Sequence, residues 1–305
     1  MGKIRTVLGD IDPKDLGLTL PHEHLFFDLR GTYSDGSALV DMEEVVKTVL
    51  PSLLALKQRG AKTLVECSTG GIGRNPIILE TLARRSGINV LAPAGFYKEP
   101  FMPNWIGSRS VDELANLMRR EMQEGIGETT VRAGFIKLAA SDNGLTSLEE
   151  KVLRAASRAA MDTGAAISDH TVRGEVLLQE VKVLKEERFD LEKFIWVHAH
   201  AEPDLAKHFK AVEEGINVEY DAIGSESPDG FFIDLIKRMV SKGHERHVLI
   251  SQDAGGYNLG EPGGGRPRDL CYIFDKFLPK MREKGIGDLI NTLMIENPSR
   301  IFELS

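Results

Sequence analysis

Eight short β-rich runs alternate with eight stretches of helical periodicity, and this alternation narrows the open folds more than any other feature of the chain. The runs cover residues 16–20, 63–67, 89–94, 132–138, 165–169, 194–197, 216–220 and 247–250. The helical stretches cover 42–59, 77–85, 111–124, 148–163, 176–186, 204–214, 232–242 and 270–284. In the fourth, Leu148 to Leu153, apolar spacing is interleaved with Glu/Lys pairs, as a helix laid on a sheet requires. Thr146-Ser147 ahead of Glu149-Glu150 signals its N-terminal cap. Strands alternating with helices predict a parallel sheet. Eight such units in 305 residues predict an α/β fold, a (β/α)8 TIM barrel spanning 1–305 as one domain. An open doubly wound sheet is the alternative, but it usually carries a Gly-rich phosphate turn after its first strand. Here Pro21-His22-Glu23-His24 stands in that place. No Pro/Gly/Ser linker divides the chain. The Gly-rich stretch from Gly255 to Gly265 falls inside the eighth unit and reads as a long loop at the barrel mouth. The tail, 295–302, reads as a closing helix with Asn297 as N-cap and Pro298 at its first position.

Composition excludes several function classes. Hydrophobic residues make up 42% and charged residues 28%, ordinary values for a chain with a large core. The net charge is -8 with both signs interspersed, and without a basic stripe nucleic acid is not an expected partner. No apolar run reaches the roughly 18 residues that span a membrane. Met1-Gly2-Lys3-Ile4-Arg5 lacks the apolar stretch of a signal peptide. Two cysteines, Cys67 and Cys271, indicate no disulfide framework. The expectation is a soluble cytoplasmic protein.

Polar residues recur where the predicted strands end: His22 and His24, Lys137, His170, His198 and Asp253. In a (β/α)8 barrel all strand C-termini face one mouth, so residues distant in sequence become neighbours. His22 and His24 are two apart, and an extended chain turns both toward one face. Neutral imidazole is a common ligand for zinc and similar ions. Taken singly, His170 and His198 also read as hydrogen-bonded structural histidines, and Asp253 as a helix cap. Taken together they form a polar cluster that is costly without a cation to organise it. His200 competes with His198, which is preferred because it directly follows an apolar strand. His208, His244 and His247 read as structural or surface groups. Lys137 ends the apolar run Gly134-Phe135-Ile136 and loses hydration there. It either pairs with a carboxylate or, uncharged, reacts with carbon dioxide to give a carbamate able to bridge two metals.

As a set, the His-X-His pair followed by Lys, His, His and Asp at successive strand ends resembles the phosphotriesterase-like branch of the amidohydrolase superfamily, over essentially the whole length. The resemblance implies a barrel with two divalent metals and no organic cofactor. It implies that His22, His24 and Asp253 hold the more buried metal, that His170 and His198 hold the more exposed one, and that a carbamylated Lys137 bridges both together with a hydroxide nucleophile. Asp253 would take the proton. Zinc suits the mixed ligands, with manganese, cobalt and iron as alternatives. Tyr97 stands where lactonase members carry a tyrosine near the metals. Ala201 and Ala222 stand where organophosphate hydrolases carry a His–Asp shuttle, and Ala222 also where acyl-homoserine lactone hydrolases carry an arginine. Lys98, Lys242, Arg266 and Arg268 are candidates to hold the phosphate of a sugar lactone. Substrate choice is expected to lie in the loops 98–108 and 255–268. The expected activity is therefore hydrolysis of a small polar lactone, sugar or sugar phosphate, with weak phosphotriesterase activity beside it. Amide hydrolysis of a small N-acyl compound is the alternative. A non-catalytic binding barrel is the other, and the full ligand set argues against it. The expected partners are a small-molecule substrate and, as in many relatives, a second copy in a homodimer, with no membrane or nucleic acid.

Overall fold

The computed structural model describes residues 2–30, 40–225 and 227–304. Eight parallel strands form the barrel: β1 (Thr19–Phe27), β2 (Thr63–Glu66), β3 (Asn89–Leu91, resuming at Pro93–Ala94), β4 (Phe135–Ala139), β5 (Ile167–His170), β6 (Phe194–Val197), β7 (Asn217–Tyr220) and β8 (Val248–Ile250). Each pairs in parallel with the next in chain order. The ring closes between β8 and β1, where the Asp253 amide donates to the His22 carbonyl at 3.1 Å. Beyond β8 the short strand Ala254–Asn258 also pairs with β1, in the register Ala254 to Glu23.

Seven helices follow the first seven strands: α1 (Met42–Gln58), α2 (Pro76–Ser86), α3 (Val111–Gln123), α4 (Ser147–Thr163), α5 (Gly174–Glu186), α6 (Leu205–Glu213) and α7 (Asp229–Val240). Their starts are written in local chemistry. Asp41 caps α1, and Asn75 caps α2 with Pro76 behind it. Reciprocal capping boxes, Ser110 with Glu113 and Thr146 with Glu149, open α3 and α4. No helix among the described residues is long and apolar enough to cross a membrane.

The apolar side chains divide into two bodies. The larger lies between strands and helices, from Leu20 and Leu64 out to Val45, Leu82 and Leu153. The smaller fills the barrel itself with Val65, Leu91, Phe135, Ile195 and Leu249. Ile4, Ile301 and Phe302 plug its N-terminal end, and the Phe302 ring meets that of Phe135 edge-on at 5.5 Å. This plug leaves the opposite mouth as the end where polar groups can gather.

Three details depart from the sequence expectation. The first strand does not stop at Leu20 but runs to Phe27, carrying His22-Glu23-His24 within it. Pro21 lacks an N–H to offer a neighbouring strand. The strand passes it by a bulge: pairing with β2 shifts between Leu20 and Glu23, so one extra residue sits on β1. The eighth helix is also not regular over 270–284. Residues Ile273–Phe277 wind as a π turn, and α-helix resumes at Leu278–Glu283. Pro279 cannot donate to the preceding turn, which widens instead. The same pattern recurs at Thr292–Glu296 ahead of Pro298. Asn297 is therefore not an N-cap. It is helical and buried, and its side-chain amide donates to the carbonyls of Glu245 and Val248 at 2.8 Å each, pinning the start of β8.

Candidate active site

The C-terminal mouth of the barrel opens on a cavity of about 350 Å³. His22, His24, Lys137, His170, His198 and Asp253 all line it. They come from β1, β4, β5, the residue after β6 and the turn after β8. The barrel thus assembles the six groups predicted from strand ends.

Two halves can be distinguished. In the first, the Nε2 atoms of His22 and His24 face one carboxylate oxygen, Asp253 Oδ1, at 3.4 and 3.2 Å. These three residues form a group whose ligand atoms could hold one cation. In the second, His198 Nε2 and His170 Nδ1 face each other at 2.8 Å. Lys137 is 1% exposed, and its Nζ finds no hydrogen-bond partner among the described residues. A buried amine without a partner is costly, so the bland pairing with a carboxylate fails at this position. Imidazole nitrogens and a carboxylate oxygen facing one cavity fit a divalent metal ion.

The surrounding groups hold these side chains in the required orientation. Asp221, directly after β7 and fully buried, accepts from His198 Nδ1 at 2.9 Å, from the His198 amide at 3.0 Å and from His22 Nδ1 at 3.0 Å. Glu219 lies 3.1 Å from the same His22 nitrogen. His24 Nδ1 lies 2.8 Å from Ser68 Oγ. With Nδ1 occupied on all three rings, Nε2 is the nitrogen left to face the cavity. His198 and Asp253 have left-handed backbones, φ 62° and 50°, which only a few per cent of residues with side chains adopt. Such conformations cluster at functional sites.

The electrostatics agree. Burial pushes the His170 ring well below the usual imidazole range, and the charges of His198 and Lys137 push it further, so it stays neutral. Burial works to raise the Asp253 carboxyl, but the His22 and His24 rings overcome it and hold the group ionised. Burial, and next the Asp253 charge, raise the Tyr97 phenol and keep it protonated. The Tyr97 hydroxyl lines the cavity and lies 3.5 Å from His170 Nδ1.

The remaining predicted residues divide. Arg266 and Arg268 line the cavity. Arg268 donates to the Asp253 carbonyl at 3.0 Å, whereas Arg266 is exposed to solvent. Lys98 is not a lining residue. Its Nζ lies 3.2 Å from His170 Nε2 and 3.0 Å from Asp142. Lys242 is a correction: it follows α7, at the end of the barrel away from the mouth, with its Nζ 6.0 Å over the Phe209 ring. A helix that returns to the start of the next strand carries its C-terminus to the far face. The loop after β3 contributes no lining residue beyond Tyr97, and an apolar wall of Phe27, Leu29 and Ile72 takes that place. His200 Nδ1 lies 3.2 Å from Asp221 but does not line the cavity, and buried His208 bonds Tyr220 and the Glu202 carbonyl. Sequence reasoning missed Asp221, Glu219 and Glu23. Asp221 carried the same signal as the ligands, a polar residue ending a strand.

The profile of the phosphotriesterase family matches residues 2–302. A phosphotriesterase homology protein of Escherichia coli K12 is 31% identical over 291 residues, covering 94% of this chain and 98% of the other. The chain belongs to the phosphotriesterase family. Among other family members, a phospho-furanose lactonase of Mycoplasmopsis synoviae is 28% identical, over 97% of this chain and 90% of that one. An organophosphorus hydrolase of Deinococcus radiodurans superposes with a TM-score of 0.90 at 29% identity, over 98% of this chain and 96% of that one. Within this phosphotriesterase-family chain, Asp221 is the residue that ties the two halves of the site together. Asp221→Ala leaves the Nδ1 groups of His22 and His198 without that acceptor. The expected result is about 10–100-fold weaker cation binding, read by competition with a chelator. Unchanged affinity would remove Asp221 from this role.

Proposed function

We propose that this chain is a metal-dependent lactonase acting on a small polar lactone, with a sugar or sugar-phosphate lactone as the substrate class. The carrying observation is that all six predicted ligands, from five separate barrel segments, line one cavity. His22, His24 and Asp253 hold the first cation. His170 and His198 would hold the second, and a carbamylated Lys137 would supply an anionic ligand to the pair. Zinc is the proposed metal; manganese, cobalt or iron would suit the same donors. When bound, such cations polarise a scissile carbonyl and lower the pKa of water to near neutrality.

The chain's own residues supply the remainder. Asp253, ionised and 3.2 Å from His24, accepts the proton of the attacking water and passes it to the departing alkoxide. The protonated Tyr97 donates a hydrogen bond toward the substrate from the cavity wall. Phe27, Leu29 and Ile72 cover the apolar side of the ring, and Arg266 and Arg268 face its polar substituents. The likeness to a phospho-furanose lactonase supports this reading. Ala201 and Ala222 supply no proton shuttle beyond Asp253, so phosphotriester hydrolysis is a weak side activity.

The test is a panel of sugar lactones with and without phosphate, acyl-homoserine lactones, an aryl phosphotriester and an N-acyl amide, followed with a pH-sensitive dye. Turnover concentrated on one small polar lactone supports the reading. Turnover of the amide alone would move the assignment to amide hydrolysis. Arg266→Ala is expected to raise KM about tenfold or more for anionic lactones, since a charge-assisted contact is worth about 1.5–3 kcal/mol, and to leave kcat nearly unchanged. Equal KM in the variant would remove Arg266 from substrate binding.

A further inference from the structure

Glu23 lies between the two histidines of the first strand, yet the cavity does not use it. It is 0% exposed, and its side chain turns to the closing seam of the barrel. Its Oε1 accepts from the Gln252 amide at 3.1 Å and lies 2.9 Å from Ser251 Oγ. Its Oε2 accepts from the Ala254 amide at 2.7 Å. The two amides it grips are those on either side of Asp253.

This grip falls at a place where the backbone needs it. Asp253 has φ 50°, a region that residues with side chains rarely occupy. A conformation of that kind persists only where its surroundings over-determine it. The Asp253 amide is held by the His22 carbonyl at 3.1 Å, and the Asp253 carbonyl by Arg268 at 3.0 Å. Glu23 holds the amides of the residues before and after, Gln252 and Ala254. The seam has other ties, because Ser251 Oγ also bonds both the amide and the carbonyl of His22 at 3.0 Å. The contacts peculiar to Glu23 are the two that flank Asp253.

We propose that Glu23 is the positioning residue for Asp253: its carboxyl group, locked across the Gln252 and Ala254 amides, fixes the turn that aims the Asp253 carboxylate at the Nε2 atoms of His22 and His24. The proposal rests on the reading of Asp253 as ligand and proton acceptor. The residue type follows from the chemistry. Both amides are donors to separate oxygens, so the site needs two acceptor oxygens on one rigid group. Glutamine offers one oxygen and sets an NH2 group against a donor. Aspartate keeps both oxygens but is one methylene short.

The test is Glu23→Gln, loaded with cobalt(II), in the otherwise natural chain and in an Asp253→Asn background. A misplacement of about 1 Å costs on the order of 100-fold in rate. The expected result is a kcat about 100-fold lower with KM little changed, and an altered visible cobalt spectrum. Glu23→Asp should recover part of the loss. In the Asp253→Asn background, Glu23→Gln should cost nothing further. A folded Glu23→Gln protein with kcat and cobalt spectrum unchanged would overturn the proposal, as would an equal proportional loss in both backgrounds. Should Glu23→Gln not fold, the cobalt spectrum of Glu23→Asp decides: a shift supports the role and an unchanged spectrum overturns it. The spectrum needs no substrate, so a failure of the lactonase reading and a failure of this one are separable.

Discussion

Lys137→Ala is expected to lose tight binding of the second cation. The side chain is buried among the cavity residues, and its amine has no hydrogen-bond partner among the described residues. The reaction at Nζ proposed above, which turns the amine into an anionic ligand, would account for a lysine there. Hydrogen-bond partners outside a metal's ligands are worth about 10–100-fold in affinity, so a bridging ligand should set at least the top of that range. Metal analysis after desalting should find one equivalent retained where the parent retains two. Short carboxylates such as formate or acetate, added in excess, should restore part of the second equivalent by standing in for the lost anion. The fold should survive, because alanine relieves the burial of an amine at the cost of a small cavity. Two tight equivalents in the variant without added carboxylate would contradict the bridge.

Asp253→Asn should give the largest loss of turnover. The substitution keeps the shape and one acceptor oxygen, and removes the negative charge and the capacity to take a proton. General base or acid groups contribute about 100- to 10,000-fold, and a fall in kcat of that size is expected with KM changed little. The backbone amide, carbonyl and flanking peptide bonds remain in place, so the loss reports on the carboxylate rather than on the turn. A kcat within tenfold of the parent would mean that another group moves the proton.

Much of this architecture was legible because strand-end residues in a barrel share one location. His170 and His198, 28 positions apart, face each other across 2.8 Å only because their strands are neighbours. The alternation of strands and helices predicts that neighbourhood without coordinates. Lys242 shows where the reasoning stops: its charge is visible in sequence, but the face of the barrel it occupies follows from where α7 ends. Asn297 failed for a related reason. The motif of a capping residue before proline is local, whereas in the fold the helical winding already runs through Glu296 and the Asn297 side chain is turned to the start of β8. Asp221 and Glu23 were hidden by their type, since a carboxylate at a strand end reads equally as a cap, a ligand or a brace. Their hydrogen bonds, to His22 and His198 in one case and around Asp253 in the other, decide between these.

The most direct measurement is a titration of chelator-treated protein with zinc or manganese while lactone hydrolysis is followed in the same sample. Turnover of a small polar lactone that appears as about two equivalents bind, and that is lost again with chelator, is the predicted result. Lactone turnover that persists undiminished in protein shown to be metal-free, or a chain that fills two sites and hydrolyses no lactone, would contradict the account.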